Sequence, residues 1–567
     1  MKIGVPLVSG SYTSYDPDDM VERFHEILIW PLELALPPQL LEAASRPGFV
    51  NTLCGAVEER GKGVWKRIGT FDRNTTKDRD LRYAEFVYFH PFVQRVLYPQ
   101  AHDPNPALAI LARHDVSGVK VTLHGENAAL QMKVDRVHLY LFRSQTALLV
   151  VEVSSQAPMP LATVQQFLDQ FRRAYAPFHK NAVAGHCPSL VEWCVSGASP
   201  GNPPAASNFS DPCAMYEPVE NPDKRRPPMA AHWRWLMQPL VCAADAGPGD
   251  IGVEQLEDDR IPAMSYLAVP DPFALTRGDF MRICFCDEKG CSNSLPYGTE
   301  FLSDFERRFC YDRFWNPPGP SGGRFWEWRN TRYLCSGYHF ATIVKTSPEP
   351  PGWAEKILDD FQHHYFQMGV LAHFHRASLL KYSRRLTEVA ADAEHQEGGE
   401  KWTSLMHVRR AFAEFVNQYW FREVSNQEQA KEMFQLWSDR LGNRDLLQQL
   451  STEAEAVDRI LNSVDEAHRR TFEKEQQQEI RFLTKVIIGL AVFTVLVAVL
   501  DSDAARKLFT LGGKWFLQGR RGDDFKIWLP LFACTVGFLL LGGVGLWRIF
   551  RWLDKKEQSH ADQNRGH

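Results

Sequence analysis

Two carboxylates near the C-terminal end are the residues whose types and spacing most directly suggest chemistry. Asp501 and Asp503 immediately follow the uncharged apolar run Val486–Leu500. Acidic residues at the end of such a run, repeated in several subunits, form a ring of negative charge that attracts cations to a pore mouth. The same carboxylates also suit an ordinary polar helix end. We treat Asp501 and Asp503 as candidate cation-binding residues.

A stripe of small and polar residues leads up to these carboxylates at heptad spacing, through a segment that otherwise consists of Val, Leu, Ile and Phe. Small residues allow two helices to pack closely. Polar groups on an apolar helix usually face a bundle interior or water, as they do in a pore. Both interpretations remain open. The candidate pore-lining residues are Thr484, Ile487, Ala491, Thr494, Ala498 and Asp501.

Two apolar runs predict two transmembrane helices within 482–550, followed by a basic tail at 551–567. A helical span needs about 20 apolar residues. The run Ile527–Trp547 meets this length alone, and Val486–Leu500 meets it when Phe482 and Leu483 are added and Lys485 snorkels. The first ten residues lack the apolar core of a signal peptide. We therefore expect a multi-pass protein of the cell inner (plasma) membrane with both termini cytoplasmic.

Composition narrows the function classes. The 64 basic and 69 acidic residues give a net charge of -5, so nucleic acid is not predicted as a partner. Eleven cysteines without a paired spacing indicate reduced thiols. We find no HExxH metalloprotease motif, no nucleophile elbow and no glycine-rich dinucleotide turn, so no enzymatic activity and no cofactor are predicted. A regulatory Mg²⁺ or another divalent cation remains an open option.

The first 350 residues predict a cytosolic α/β domain that carries an irregular insertion at 196–228. Val137–Phe142 and Ala147–Val153 form the clearest strand pair, a predicted hairpin. Leu161–Tyr175 has helical spacing. Further strands are predicted at Val119–Leu123, Phe86–Phe89, Tyr266–Val269 and Phe340–Val344.

A helical stalk is predicted over 353–481. Its helices are Trp353–Ala391, Trp402–Phe421, Gln427–Leu441 and a final helix of about 57 residues from an Asn443 N-cap. Apolar residues recur in this last helix at a and d heptad positions, which predicts coiled-coil packing. An intramolecular bundle and a subunit interface both remain open. The heptad residues are Leu447, Leu450, Ala454, Val457, Leu461 and Val464.

Two further groups of residues carry side chains that can bind metals. Cys284, Cys286 and Cys291 do not have the spacing of a known zinc motif. Four histidines of the Trp353 helix suit a regulatory metal or a pH sensor, although solvated surface histidines are the commoner case. These histidines are His363, His364, His373 and His375.

The stalk segments HHYFQMGVLAHFHRASLLKYSRRL and FAEFVNQYWFREVSNQEQAKEMF, and the hairpin VHLYLFRSQTALLVVEVS, resemble the CorA-like divalent cation transporters. The order of the chain is also similar: an α/β domain, a very long helix that enters the first of two C-terminal spans, and a basic tail. This resemblance implies a CorA-like funnel, a homopentamer whose first spans line the pore. The family's Gly-Met-Asn signature is replaced here by Leu500-Asp501-Ser502-Asp503, so magnesium selectivity is not implied.

The resemblance implies a homo-oligomeric channel or transporter for cations, Mg²⁺-like divalent ions foremost, gated by the cytosolic domain. One alternative is a poorly selective effector channel that opens in response to a nucleotide-like signal. A second alternative is a membrane-tethered interaction module. The expected partners are further copies of the chain, the lipid bilayer, divalent cations and a small-molecule gating ligand.

Overall fold

The computed structural model describes residues 20–69, 79–99, 103–181, 183–196, 204–209, 229–292, 294–316, 330–346, 351–392, 399–500 and the single residues 507, 548 and 551. Most of the predicted 196–228 insertion lies outside these ranges. The chain divides into two compact units, Met1–Leu461 and Asn462–His567. The first unit contains a large sheet with helices on both faces.

The described strands range from two residues to the fourteen residues of β6. In chain order they are β1 Met20–Val21, β2 Arg23–Ala35, β3 Trp65–Arg67, β4 Leu108–Arg113, β5 Val116–Thr122, β6 Ala129–Phe142, β7 Thr146–Ser155, β8 Met159–Pro160, β9 His179–Lys180, β10 Val183–Ala184, β11 Leu190–Val195, β12 Ser207–Asn208, β13 Val241–Cys242, β14 Gly252–Gln255, β15 Ala263–Val269, β16 Cys310–Tyr311, β17 Thr331–Cys335 and β18 His339–Lys345.

Fourteen of the described strands form one mixed sheet. Its main path runs β12-β11-β5-β6-β7-β2-β15-β18-β17-β16, while β4 and β3 continue from β6, and β14 and β13 continue from β2. The pairs β15–β18 and β13–β14 are parallel, and the other pairs are antiparallel. The long strands β2, β6 and β7 therefore lie side by side at the centre of the sheet.

The helices cover both faces of this sheet. They are α1 Pro38–Ala43, α2 Phe49–Arg60, α3 Arg79–Tyr88, α4 Pro91–Leu97, α5 Leu161–Gln170, α6 Ala231–Met237, α7 Arg277–Phe285, α8 Thr299–Ser303, α9 Phe305–Phe309, α10 Trp353–Asp360, α11 Phe366–Asp392, α12 Gly399–Gln418, α13 Glu428–Arg440 and α14 Asn443–Leu500, with a 3₁₀ turn at Ala243–Asp245 and a π-helix at Phe361–Tyr365 between α10 and α11.

Strand alternation divides the interior into two cores. Along β2, Phe24 and Leu28 face one side, where α1, α2, α5, α6 and α7 pack; we call this side the first core. Ile27 and Ile29 face the other side, where α4, α10, α11, α12 and α13 pack; we call it the second core. Because successive strand residues point to opposite faces, a strand segment buried on both sides is a continuous apolar run, as residues 27–32 of β2 are.

Several predicted elements are confirmed. The hairpin is β6 and β7, with Leu141 opposite Ala147, and the predicted strands within β5, β15 and β18 are present. The predicted helices correspond to α5 and to α10–α14, and helix α14 begins at Asn443. The strand predicted at Phe86–Phe89 is wrong, because these residues lie at the end of α3 and just after it. The early helices of the predicted stalk pack on the sheet through the second core.

The prediction of a transmembrane fold is wrong. Among the described residues, no helix combines the length and the apolar composition that crossing a bilayer requires. In α14 the charged residues Glu479, Arg481 and Lys485 interrupt the apolar sequence, and only fifteen residues follow Lys485 to Leu500. At 1.5 Å per residue they extend about 22 Å, which is short of a hydrocarbon core of about 30 Å.

Three predictions are corrected by this finding. They are the CorA-like fold class with two C-terminal transmembrane helices, the description as a transmembrane protein, and the multi-pass location in the inner (plasma) membrane with cytoplasmic termini. The prediction of ion transport stays a prediction. The second predicted span, Ile527–Trp547, lies outside the described residues.

Candidate metal centre

Three potential metal ligands meet at the centre of the sheet, on the side of the second core. One ligand atom from each of His25, Asp135 and Glu152 lies within 4.8 Å of those of the other two. His25 is near the start of β2, Asp135 is in β6 and Glu152 is in β7. These residues are distant in sequence, so only the pairing of the three strands brings them together.

A β-bulge positions Asp135. In the β6–β7 ladder Val134 pairs with Val153 and Arg136 pairs with Glu152, so Asp135 has no partner residue on β7. A bulge inserts one residue into a strand and re-aims its side chain, and bulges are common beside functional sites. The Asp135 side chain is only 8% exposed. The bulge therefore turns a carboxylate into the interior instead of toward solvent.

Two polar atoms of this cluster are buried without a hydrogen bond from any described residue: Nδ1 of His25 and Oδ2 of Asp135. Nδ1 of His25 lies 3.7 Å from Oε1 of Glu152, which is too long for a hydrogen bond. Leaving a buried polar atom unsatisfied costs about 1–3 kcal/mol, so native proteins usually satisfy such atoms with water or an ion.

The separation between the ligand atoms suits a metal ion. Two ligands that each lie 2.0–2.1 Å from one ion at a tetrahedral angle are about 3.4 Å apart. The 3.7 Å between His25 Nδ1 and Glu152 Oε1 is close to this value. An imidazole with two carboxylates is a common donor set for first-row transition metals.

Cationic and amide groups surround the two carboxylates. Nε of Arg136 lies 2.5 Å from Oε2 of Glu152, and Gln362 donates its Nε2–H to Oε1 over 2.6 Å. Burial alone would raise the pKa of Glu152, but the Arg136 guanidinium, with His25 and Gln362, lowers it to about 2. Lys133 pairs with Oδ1 of Asp135 at 2.5 Å, and its side chain is 60% exposed. Glu152 is therefore ionised at neutral pH, as a metal ligand must be.

A second group, Asp169, His186 and Glu288, has a simpler explanation. Nδ1 of His186 donates to Oδ2 of Asp169 over 2.9 Å, so this ring nitrogen already has a hydrogen-bond partner. The same bond raises the pKa of His186, so it favours the imidazolium. Arg173 occupies Oδ1 of Asp169, and the Glu288 side chain is 71% exposed. Hydrogen bonds and ion pairs thus account for this group without an ion.

The predicted pore-lining residues are not part of the cluster. Thr484, Ile487, Ala491 and Thr494 lie on α14 with exposed side chains. The two threonine hydroxyls donate to the carbonyls four residues earlier, over 2.7 Å. Ala498 is also in α14, but its side chain is outside the described part, as are Asp501 and Asp503. The roles assigned to these residues stay predictions.

The other predicted ligands are buried separately. Burial raises the pKa of the Cys286 thiol to about 12 and raises that of Cys284 well above its usual value, which disfavours the thiolates that zinc requires. His373 and His375 are buried, not solvated, and burial lowers their pKa values to about 3 and about 4. The metal groups found in the described residues contain none of these four.

Sequence reasoning missed all three residues of the cluster. His25 lies in a strand that was not predicted, and Glu152 lies in a predicted strand where a buried carboxylate is unexpected. The sequence signal was a set of charged residues within otherwise apolar strands, Glu26, Glu33 and Glu152 among them. Charged residues are almost never fully buried unless they are paired.

Comparison with known proteins finds no matching protein family, no matching curated protein and no matching solved structure. The resemblance to CorA-like transporters therefore stays a prediction.

Proposed function

We propose that this chain binds a divalent transition-metal cation through His25, Asp135 and Glu152, and that the ion serves a regulatory or structural role. The observation that carries the proposal is the pair of buried atoms, Nδ1 of His25 and Oδ2 of Asp135, that face Glu152 without a hydrogen bond from the described residues. One ion between the three side chains satisfies both atoms.

The donor set favours Zn²⁺, Mn²⁺ or Co²⁺ over Mg²⁺. Magnesium prefers six oxygen ligands in octahedral geometry and keeps several of its waters, whereas an imidazole nitrogen suits transition metals. The proposal therefore replaces the regulatory Mg²⁺ considered from the sequence with a transition-metal cation.

The burial of the cluster supports a binding role over a catalytic one. His25, Asp135 and Glu152 all have side chains at most 11% exposed. The two described cavities, of about 310 Å³ beside Trp235 and about 70 Å³ beside Leu275, are lined by other residues. An ion fits a buried cluster of this kind, but a substrate needs an open cleft.

Metal titration of the full chain tests the proposal. After treatment with a chelator, the protein is titrated with Zn²⁺ or Mn²⁺ by calorimetry, and Co²⁺ absorption reports the ligand geometry. We expect Asp135→Asn and His25→Gln each to weaken binding by at least about tenfold, because each removes a direct ligand. His186→Gln is the matched control, since it alters the second group and should leave the affinity unchanged.

Two results would contradict the proposal. One is a wild-type chain that binds none of the three ions. The other is binding that survives in Asp135→Asn and is lost in His186→Gln, which would place the ion in the second group.

A further inference from the structure

We propose that cation binding at His25, Asp135 and Glu152 displaces Gln362 and Arg136 from Glu152 and thereby rearranges the π-helix Phe361–Tyr365. This inference rests on the proposed function and adds a regulatory output to the same site. It assigns Arg136 and Gln362 as positioning residues that couple the site to a helix.

Both carboxylate oxygens of Glu152 are already engaged by these two residues. Oε2 lies 2.5 Å from Nε of Arg136, and Oε1 accepts from Nε2 of Gln362 over 2.6 Å. A cation that uses Glu152 must share or replace at least one of these contacts. It also brings positive charge beside the buried guanidinium of Arg136, and like charges at short range repel strongly where water is excluded. Binding and the present contacts therefore compete.

The two competing side chains are linked to the same helical segment. Gln362 is the second residue of the π-helix, so its amide connects Glu152 directly to that element. Arg136 places its guanidinium 4.0 Å from the ring centre of Phe366, the first residue of α11, and its Nη2 donates to the Gln362 carbonyl over 3.5 Å. Loss of either Glu152 contact would therefore free a side chain that is attached to this segment.

The π-helix is the element that such a release would alter. A π-helix carries one extra residue in a helical turn, is less stable than α-helix and often marks a functional site. Here it interrupts an otherwise continuous α10–α11 segment. Its residues contact other parts of the unit: the His364 ring lies 4.3 Å from that of Tyr88, and the Tyr365 hydroxyl lies 3.2 Å from that of Tyr333. A change in this turn therefore reaches α3 and the strand β17.

Hydrogen exchange of the full chain tests the coupling. Amide exchange of residues 361–366 is measured by mass spectrometry in the chelated protein and with saturating Zn²⁺. We expect a change in this segment on Zn²⁺ addition, with no change in α5, which lies on the opposite face. Gln362→Met keeps the side-chain length but removes the hydrogen bond. We expect it to bind Zn²⁺ about tenfold more tightly, because a competing bond to a charged group is gone, and to show no exchange response.

The outcomes separate this inference from the proposed function. Zn²⁺ binding with unchanged exchange in 361–366 would overturn the inference and leave the metal site standing. An exchange response that persists in Gln362→Met would also overturn it, because Gln362 would not be the link. A wild-type chain that binds no metal would remove both proposals. Arg136→Lys keeps the positive charge but loses the guanidinium contacts to Phe366 and to the Gln362 carbonyl, so it should retain Zn²⁺ binding with a weaker exchange response in 361–366. An undiminished response would overturn the role assigned to Arg136.

Discussion

His25 and Glu26 are consecutive residues of β2 whose side chains enter opposite cores. The imidazole of His25 packs edge-on against Tyr266 in the second core, at 6.1 Å between ring centres. The carboxyl group of Glu26 lies in the first core, fully buried, and no described residue donates a hydrogen bond to either of its oxygens. One strand thus carries a candidate metal ligand on one face and an isolated buried acid on the other.

The Glu26→Gln variant should remove a pH dependence of folding stability. Burial, only partly offset by the charge of Arg172, raises the pKa of Glu26 from 4.5 to about 8. Between these values the native state holds the proton more tightly than the unfolded state, so the stability from Glu26 is largest below pH 4.5 and falls as pH rises toward 8. The slope is at most about 1.4 kcal/mol per pH unit. Urea unfolding of both proteins from pH 5 to pH 9 measures it.

The difference in unfolding free energy between the wild type and Glu26→Gln separates the contribution of Glu26 from that of other titrating groups. The buried histidines His232, His339 and His373 have pKa values lowered to about 3, so they destabilise the fold as pH falls below 6.5 in both proteins. Glu22→Gln, at an exposed position just before β2, should leave the pH profile of the wild type unchanged. If the unfolding free energies of the wild type and Glu26→Gln change in parallel with pH, the raised pKa of Glu26 is contradicted.

Gly369→Ala should destabilise the packing of α11 on α13. A Cβ atom at position 369 would lie 2.8 Å from Cη2 of Trp437 and 3.1 Å from Sδ of Met264, and the Trp437 ring is fully buried. Overpacking of this kind costs about 1–3 kcal/mol in unfolding free energy, despite the better helix propensity of alanine. Chemical denaturation followed by tryptophan fluorescence measures the change.

Gly489→Ala is the matched control for this substitution. Gly489 is also helical, but nothing lies within 4 Å of an added Cβ. Only the higher helix propensity of alanine then contributes, so we expect α14 to be stabilised by up to about 1 kcal/mol. Equal effects at the two positions would contradict the steric argument.

Arg113→Lys should be strongly destabilising although it keeps the charge. The guanidinium of Arg113 pairs with both carboxylate oxygens of Asp115, at 2.7 and 2.9 Å, and lies 4.0 Å from the ring centre of Trp235. Its Nη1 also donates to the Leu236 carbonyl over 2.8 Å. Lysine cannot reproduce the planar arrangement, so a loss of about 2–4 kcal/mol is expected.

Thermal unfolding compares this variant with Arg307→Lys. Arg307 pairs with Asp304 on the surface with a side chain that is 76% exposed, and no measurable change is expected there. A small effect at Arg113 would mean that its contacts add little beyond charge.

Local patterns predicted much of the secondary structure. A short polar turn joins the two strands of the hairpin β6–β7, and the helices after 353 have clear three- and four-residue spacing, so both could be predicted. Strand β2 lacks alternation because both of its faces are buried, and, unlike β6 and β7, it is not joined to a partner strand by a short turn, because its partners β7, β14 and β15 are distant in sequence. Proline is also uncommon inside a central strand, and β2 contains Pro31, which pairs with Leu148 on β7.

Contacts between distant parts of the chain could not be predicted from the sequence patterns. The heptad pattern in α14 is compatible with either an intramolecular bundle or a subunit interface. In the structure Leu450 lies in the second core with Leu447 and Ala454 packed beside it, so this part of the heptad makes intramolecular contacts. The candidate metal centre depends on the bulge at Asp135, and a bulge is defined by the register between two strands. No spacing within a single segment reveals such a register.

The double burial of β2 also bears on how the first unit melts. Alternate side chains of the same strand complete both hydrophobic cores, so neither core can open while the other stays intact without exposing the shared backbone. Elements linked in this way unfold together as one cooperative block. In calorimetry, a destabilising substitution on either face of the sheet should therefore shift a single unfolding transition of the whole block and should not split it into two.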